Sequence, residues 1–292
     1  MNGTGVPLVT PFDERGSLDE TALRGLVDWL TDRGVDFLVP CGSNGEAALM
    51  TAEERSRVVE VVVDAAPPGV PVLAGTGHPG LAATRRQTAL AAGAGAGADA
   101  VLVVTPFYYT HDDAALAAYY RDVAHVAEVP VYLYSVPKFT GVALDPELVG
   151  ELASHENVAG MKDSSGNLEA FQRERRLAGE AFDLLVGSGS VYAPALDAGA
   201  DGGVLALANI VPERASEIYR RHREGDDEGA RELNRALVEL NRAVTGTYGI
   251  PGLKAAMRDR GAPAGYPRRP FQPPDDDAVG HLADLVDAAL SA

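Results

Sequence analysis

The sequence predicts a (β/α)8 barrel with a helical extension at its C-terminus. Two observations carry this. Eight short apolar runs, Gly5–Thr10, Phe37–Cys41, Pro71–Gly75, Ala100–Thr105, Val131–Tyr134, Val158–Met161, Asp183–Val186 and Gly203–Leu207, have the near-continuous hydrophobicity of parallel strands covered by helices. Longer amphipathic stretches separate them, among them Asp19–Arg33, Ala52–Ala65, Leu81–Ala96, Asp112–Ala127 and Glu147–Ser154. Eight such units in roughly 210 residues suit a closed barrel, and an open doubly wound sheet, which normally has fewer strands, is the alternative.

Element by element, the punctuation agrees. Thr51 before Ala-Glu-Glu and Asp145 before Pro146 read as helix starts. Glycine-rich stretches such as AAGAGAGADA read as turns from helix into strand. After Val211 no strand is expected; Pro212–Arg223, Glu228–Val244, Gly252–Asp259 and Asp276–Leu290 read as helices, with EGDDEG as a turn and YPRRPFQPPDD as an extended connection. The expected division is a barrel over residues 1–223 and a helical extension over 224–292.

Composition excludes several classes. An apolar fraction of 46% easily supplies a large core. A net charge of −17 argues against a nucleic-acid partner, because phosphates need a basic surface. No apolar run is long enough for a membrane span, and the N-terminus lacks the pattern of a signal peptide. With the single Cys41 unable to form an internal disulfide, a cytoplasmic location is expected. The six histidines have no metal-ligand spacing, so no metal or other cofactor is expected. GTGHPG formally matches a dinucleotide fingerprint, but Pro79 interrupts it and the first acidic residue at the right distance, Asp99, falls at the start of a strand.

In a barrel of this kind, reactive groups stand at the C-terminal ends of the strands and in the loops that follow. There the sequence places CGSNGE, GTGHPG, TPFYY, YSVPKFTG, KDSSG, GSGS and ALAN. Only three of the 25 basic residues are lysines, Lys138, Lys162 and Lys254. Lys162 ends an apolar strand, where a guanidinium would carry charge equally well. An amine can do what a guanidinium cannot, which is to attack a ketone and form an iminium that accepts electrons from a neighbouring bond. A lysine in that role is uncharged for part of the time, which burial favours. The structural alternative is a snorkelling lysine, or one paired with Asp163. Tyr134 reads either as a proton shuttle or as a packed aromatic, and Tyr108 carries the same two readings. GSNGE reads either as a turn whose N–H groups cradle a carboxylate, with the Ser43 hydroxyl added, or as a plain strand-to-helix turn.

Together these motifs resemble the dihydrodipicolinate synthase / N-acetylneuraminate lyase family of pyruvate-dependent class I aldolases. The resemblance runs through PLVTPF, GSNGEAALMT, TPFYY, YLYSVPKFTG, GMKDSSGN, the GSGS loop and GADGGVLALAN, nearly the whole chain. It implies that Lys162 forms the Schiff base, that Tyr134 shuttles protons, and that Ser43 and Asn44 bind the pyruvate carboxylate, with Ser43 also relaying protons to Tyr134. Tyr108 matches a family tyrosine that enters a neighbouring subunit's site. Gly187 and Leu205 match pocket positions, Leu205 through its backbone. A homo-oligomer, a tetramer built as a dimer of dimers, is implied. Dihydrodipicolinate synthases usually carry Thr-Thr where this chain has Ser43-Asn44, and an arginine gripping the aldehyde's carboxylate where it has Phe139. GSNGE, YSVP followed by TG, KDSSG, GGVLALAN and the later AVTGTYGIPGLK resemble 4-hydroxy-2-oxoglutarate aldolases instead. Lys138 and Phe139 depart from that group: Phe139 suits a less polar aldehyde, Lys138 a second carboxylate. A 2-keto-3-deoxy sugar-acid aldolase or dehydratase, a 4-hydroxy-tetrahydrodipicolinate synthase and a non-catalytic 2-oxo-acid binder are the other readings.

Overall fold

The computed structural model describes residues 1–92 and 96–292. Eight parallel strands, β1 (Gly3–Val6), β2 (Phe37–Leu38), β3 (Leu73–Gly75), β4 (Ala100–Val104), β5 (Val131–Ser135), β6 (Val158–Asp163), β7 (Asp183–Val186) and β8 (Gly202–Val204), lie in the order β2-β1-β8-β7-β6-β5-β4-β3. A parallel bridge from Leu38 to Val72 closes the ring between β2 and β3. Hydrogen bonds from Leu38 N–H to the Pro71 carbonyl and from Gly75 N–H to the Pro40 carbonyl, both 2.9 Å, support the closure. Gly75 has to be glycine here, because a Cβ would collide with the Cys41 carbonyl.

Helices α1 (Glu20–Thr31), α2 (Ala52–Ala65), α3 (Leu81–Ala91) and α4 (Asp113–Ala124) alternate with the first strands. A single turn, α5 (Pro137–Thr140), and α6 (Pro146–Leu152) follow β5; α7 (Leu168–Ala178), α8 (Tyr192–Asp197) and α9 (Pro212–Arg223) follow the last three strands. Side chains at odd and even strand positions face opposite ways. Leu102, Tyr132, Tyr134, Leu185 and Val204 therefore fill the barrel interior, while Val101, Leu133, Met161, Leu184 and Val186 pack outward under the helices. This two-sided burial is the origin of the unbroken apolar runs. The expected capping signals are present: Thr51 and Glu54 form a reciprocal capping box on α2, and the Asp145 side chain accepts from Glu147 N–H on α6.

The element ends differ from expectation for local reasons. The first strand stops at Val6 because Pro7 has no N–H to give. The second stops at Leu38, before Pro40 and a left-handed Cys41 (φ 58°). The sixth runs past Met161 to Asp163, since the ladder continues into polar residues. The eighth ends at Val204, where Ala206–Asn209 curl into a 3-10 turn held by the Asn209 amide on the Pro7 carbonyl. The expected α3 extension to Ala96 and the AAGAGAGADA turn include residues 93–95, which lie outside the described residues.

Three more helices, α10 (Asp227–Arg242), α11 (Gly249–Asp259) and α12 (Asp276–Ser291), complete the chain, with a π turn at Ala243–Thr247 between the first two. Among the described residues, no helix is long and apolar enough to cross a membrane. Packing of α10 on α9 and α12, and of α11 on α12, brings this segment back onto the barrel. The fixing point is Lys254 of α11, which is fully buried. Its Nζ is ion-paired with Glu46 at 2.5 Å and donates to the Thr10 and Tyr266 carbonyls at 2.7 and 2.8 Å. Burial pulls the amine down to about 8 while the Glu46 carboxylate opposes the shift. Glu46 also accepts from Arg268 N–H at 2.8 Å, so one carboxylate joins the GSNGE turn, α11 and the extended connection. Lys254→Met leaves that carboxylate buried and unpaired. It should lower the unfolding free energy by about 3–5 kcal/mol in urea titrations, and the Lys254→Met/Glu46→Gln pair should cost less than the two single changes summed.

Candidate active site

Tyr134 of β5 and Lys162 of β6 are direct register partners on adjacent strands. Both point into the barrel near its C-terminal mouth, and both are buried. Lys162 Nζ lies 4.3 Å from the centroid of the Tyr134 ring. The Tyr134 hydroxyl is 3.4 Å from Ser43 Oγ. An amine, a phenol and a hydroxyl from three strand ends thus meet in a cavity of about 370 Å³, which Asn44, Lys138, Phe139 and Gly187 also line.

The space for the lysine depends on Gly187. A Cβ there would overlap Ser164 Oγ and come within 2.9 Å of Lys162 Cε. The GSNGE turn is wound by N–H bonds from Gly45 and Ala47 to the Gly42 carbonyl and from Glu46 to the Ser43 carbonyl. Among the described residues the amides of Ser43 and Asn44 have no hydrogen-bond partner, so a turn beside the amine carries two unengaged donors. Glu46 closes it in a left-handed conformation (φ 57°), held by the Lys254 ion pair.

Two expected site residues stand elsewhere within the chain. Tyr108 is 86% exposed, in a positive-φ conformation (φ 82°), with its ring edge-on to Tyr109 at 5.0 Å; it does not line the cavity. Leu205 is buried in the core, its N–H donating to Gly5 and its carbonyl accepting from Ala208, and its neighbours Val204 and Ala206 line the cavity in its place. Lys138 reaches the rim, donating from Nζ to the Thr245 carbonyl at 2.5 Å. Phe139, 61% exposed, stands at the mouth.

The structure also brings in residues that strand-end reasoning passes over. Asn241, Thr245, Gly249, Ile250 and Phe271 close the cavity from the C-terminal segment, about 80 residues or more beyond Lys162. Asn241 is buried and donates to Ser190 Oγ at 2.9 Å, and among the described residues its own Oδ1 has no partner. The sequence signal is the AVTGTYGIPG stretch, whose glycines make no sense in a plain helix. A second cavity, about 550 Å³, adjoins the first and shares Ser43, Tyr134, Val136, Phe139, Ile250 and Phe271 with it. Cys41 borders it, but burial pushes that thiol up to about 11, so it is no nucleophile at neutral pH.

A buried amine beside a phenol at the mouth of an α/β barrel is the equipment of a class I aldolase. The comparisons with known proteins place the chain more narrowly. Residues 1–289 match the model of the dihydrodipicolinate synthetase family. An uncharacterized DapA-like lyase of Halobacterium salinarum is 40% identical over 99% of this chain and 95% of its own length. The 4-hydroxy-tetrahydrodipicolinate synthase of Methanothrix thermoacetophila is 38% identical over 98% and 96%. Among solved structures, YagE of E. coli K12, a prophage protein of the dihydrodipicolinic acid synthase family in complex with pyruvate, superposes with a TM-score of 0.94 at 30% identity, over 100% of this chain and 99% of that one. The chloride-inhibited dihydrodipicolinate synthase of Acinetobacter baumannii, complexed with pyruvate, gives 0.94 at 28% identity, over 99% and 98%. The chain belongs to the dihydrodipicolinate synthetase family and is a carbon–carbon lyase.

Gly187→Ala should lower kcat by on the order of 10²-fold, since an ångström of displacement at the reacting amine is enough to do so. Circular dichroism should show the barrel intact.

Proposed function

We propose that this protein is a Schiff-base aldolase that cleaves 4-hydroxy-2-oxoglutarate to pyruvate and glyoxylate. The observation that carries the reading is the Lys162–Tyr134–Ser43 constellation inside one cavity. The pyruvate complexes of two structural relatives support a 2-oxo acid as the ligand.

The substrate carboxylate would lie against the Ser43 and Asn44 amides. Lys162 Nζ attacks the C2 carbonyl, and loss of water gives the iminium. Tyr134 takes the 4-hydroxyl proton and passes it toward Ser43. The C3–C4 bond breaks, its electron pair flows into the iminium to leave an enamine, and glyoxylate departs. Protonation of the enamine at C3 and addition of water at C2 release pyruvate and restore the amine.

Phe139 stands where the resemblance to dihydrodipicolinate synthases leads one to expect a carboxylate-gripping arginine, and a phenyl ring cannot replace that fork. Lys138, at the rim, would hold the second carboxylate of 4-hydroxy-2-oxoglutarate. A second reading, a 2-keto-3-deoxy sugar-acid aldolase or dehydratase, is favoured by the adjoining cavity of about 550 Å³, which has room for a longer chain. The exposed pair Tyr108 and Tyr109 supports a homo-oligomer in which Tyr108 acts in a second copy's site.

The test is pyruvate release from 4-hydroxy-2-oxoglutarate and from 2-keto-3-deoxy sugar acids in parallel. The first reading expects the larger kcat/KM with 4-hydroxy-2-oxoglutarate; the reverse order favours the second. Lys138→Met should raise KM for 4-hydroxy-2-oxoglutarate by about 10- to 100-fold, the worth of one charged hydrogen bond, with kcat little changed. Tyr134→Phe should lower kcat by about 10²–10⁴-fold.

A further inference from the structure

The turn that offers the Ser43 and Asn44 amides is tied to distant parts of the chain through Gly45 and Glu46. The Gly45 carbonyl accepts from Thr10 Oγ1 at 2.7 Å. The Glu46 carboxylate meets Lys254 Nζ at 2.5 Å and accepts Arg268 N–H at 2.8 Å. Lys254 also donates to the Thr10 carbonyl at 2.7 Å, so one amine on α11 holds both supports of the turn. Glu46 and Lys254 are both buried. The other cations nearby are engaged elsewhere: the Arg268 guanidinium with Glu54, Gly16 and Leu49, and Arg258 with the Gly265 carbonyl. Among the described residues Lys254 is therefore the one cation paired with Glu46, and Glu46 Oε1, the oxygen facing it, has no other partner.

We propose that Lys254 is a positioning residue for the 2-oxo acid: by anchoring and neutralising Glu46 it makes the Ser43–Asn44 turn able to receive a carboxylate. The inference rests on the reading of that turn as the carboxylate site and of Lys162 as the nucleophile. The anchoring runs through peptide planes. The Gly45 carbonyl, held by Thr10, and the Glu46 N–H belong to one rigid peptide unit. That N–H donates to the Ser43 carbonyl at 3.1 Å. The Ser43 carbonyl and the Asn44 N–H share the next such unit and point opposite ways, so fixing the first aims the second. Glu46 itself stands in a left-handed conformation (φ 57°), which a non-glycine residue keeps where its surroundings hold it. The neutralising is a matter of charge. Glu46 lies two residues from Asn44 and borders the same adjoining cavity as Ser43. An uncancelled carboxylate there, with little water to screen it, would repel a second carboxylate arriving at the turn. Helix α11 also carries Ile250, which closes the cavity, so one element sets both the wall and the cradle.

Borohydride trapping of the pyruvate adduct, followed against pyruvate concentration, separates this role from plain stability. Lost stability lowers the amount of active protein and leaves the half-saturating concentration alone. Lys254→Met should raise that concentration by about 10- to 100-fold, the worth of one charged hydrogen bond, with the rate at saturation little changed. Methyl pyruvate, which keeps the ketone and lacks the charge, should show no such rise. Adding Glu46→Gln to Lys254→Met removes the uncancelled carboxylate and should recover most of the affinity for pyruvate. An unchanged half-saturation in folded Lys254→Met overturns the proposal, and so does an equal rise for methyl pyruvate, because a general distortion does not distinguish charge. A double variant no better than Lys254→Met overturns the neutralising role. If Lys254→Met does not fold, Thr10→Val decides, since it removes one hydroxyl and no charge: a rise of about fivefold in half-saturation is expected, the worth of a neutral hydrogen bond, and no rise overturns the proposal. If the wild type gives no adduct, the Lys162 reading fails, and calorimetric titration with pyruvate takes over: weaker binding by Lys254→Met supports the cradle, and equal binding overturns it.

Discussion

The site depends on one steric constraint: residue 187, beside Lys162 Cε and Ser164, has no room for a side chain. Strand β6 carries its ladder beyond the apolar run, which brings Lys162 beside Tyr134, and the residue that follows β7 is a glycine. The main chain at Asp163 and Gly187 is hydrogen-bonded across the two strands, so the lysine and its clearance are set by the same contact. Removing water from around the amine then follows from the barrel: Tyr134, Val204 and Val136 are already buried interior residues.

The three lysines divide the work of the molecule. Lys162 offers its amine inside the cavity. Lys254 uses all its donors on Glu46 and two carbonyls, which fastens the anion-cradling turn to the C-terminal helices. Lys138 stands at the rim on a one-turn helix. A guanidinium at 254 would not fit three converging acceptors around a point charge, and one at 162 could not form an imine. At these two positions the amine does what a guanidinium could not.

Much of this was legible in the sequence. Strands buried on both faces leave unbroken apolar runs, so all eight could be located, and the strand-end rule brought Lys162, Tyr134 and GSNGE to one place. Their ends were less legible because they are set by Pro7, by the left-handed Cys41 and by Asn209, local features that hydrophobicity does not record. Closure of the cavity by Asn241, Ile250 and Phe271 was not legible either, since it depends on how a π turn and a proline-rich connection fold back across the mouth. Tyr108 shows the opposite case, a residue singled out by motif that one chain alone leaves in solvent.

The measurement that tests the account most directly is the position of the covalent adduct. The protein is treated with pyruvate and borohydride, digested, and the reduced adduct mapped by peptide mass. The account predicts one pyruvyl group, on Lys162, and none on a folded Lys162→Ala variant. An adduct on Lys138 or Lys254, or none on the wild type, would contradict it.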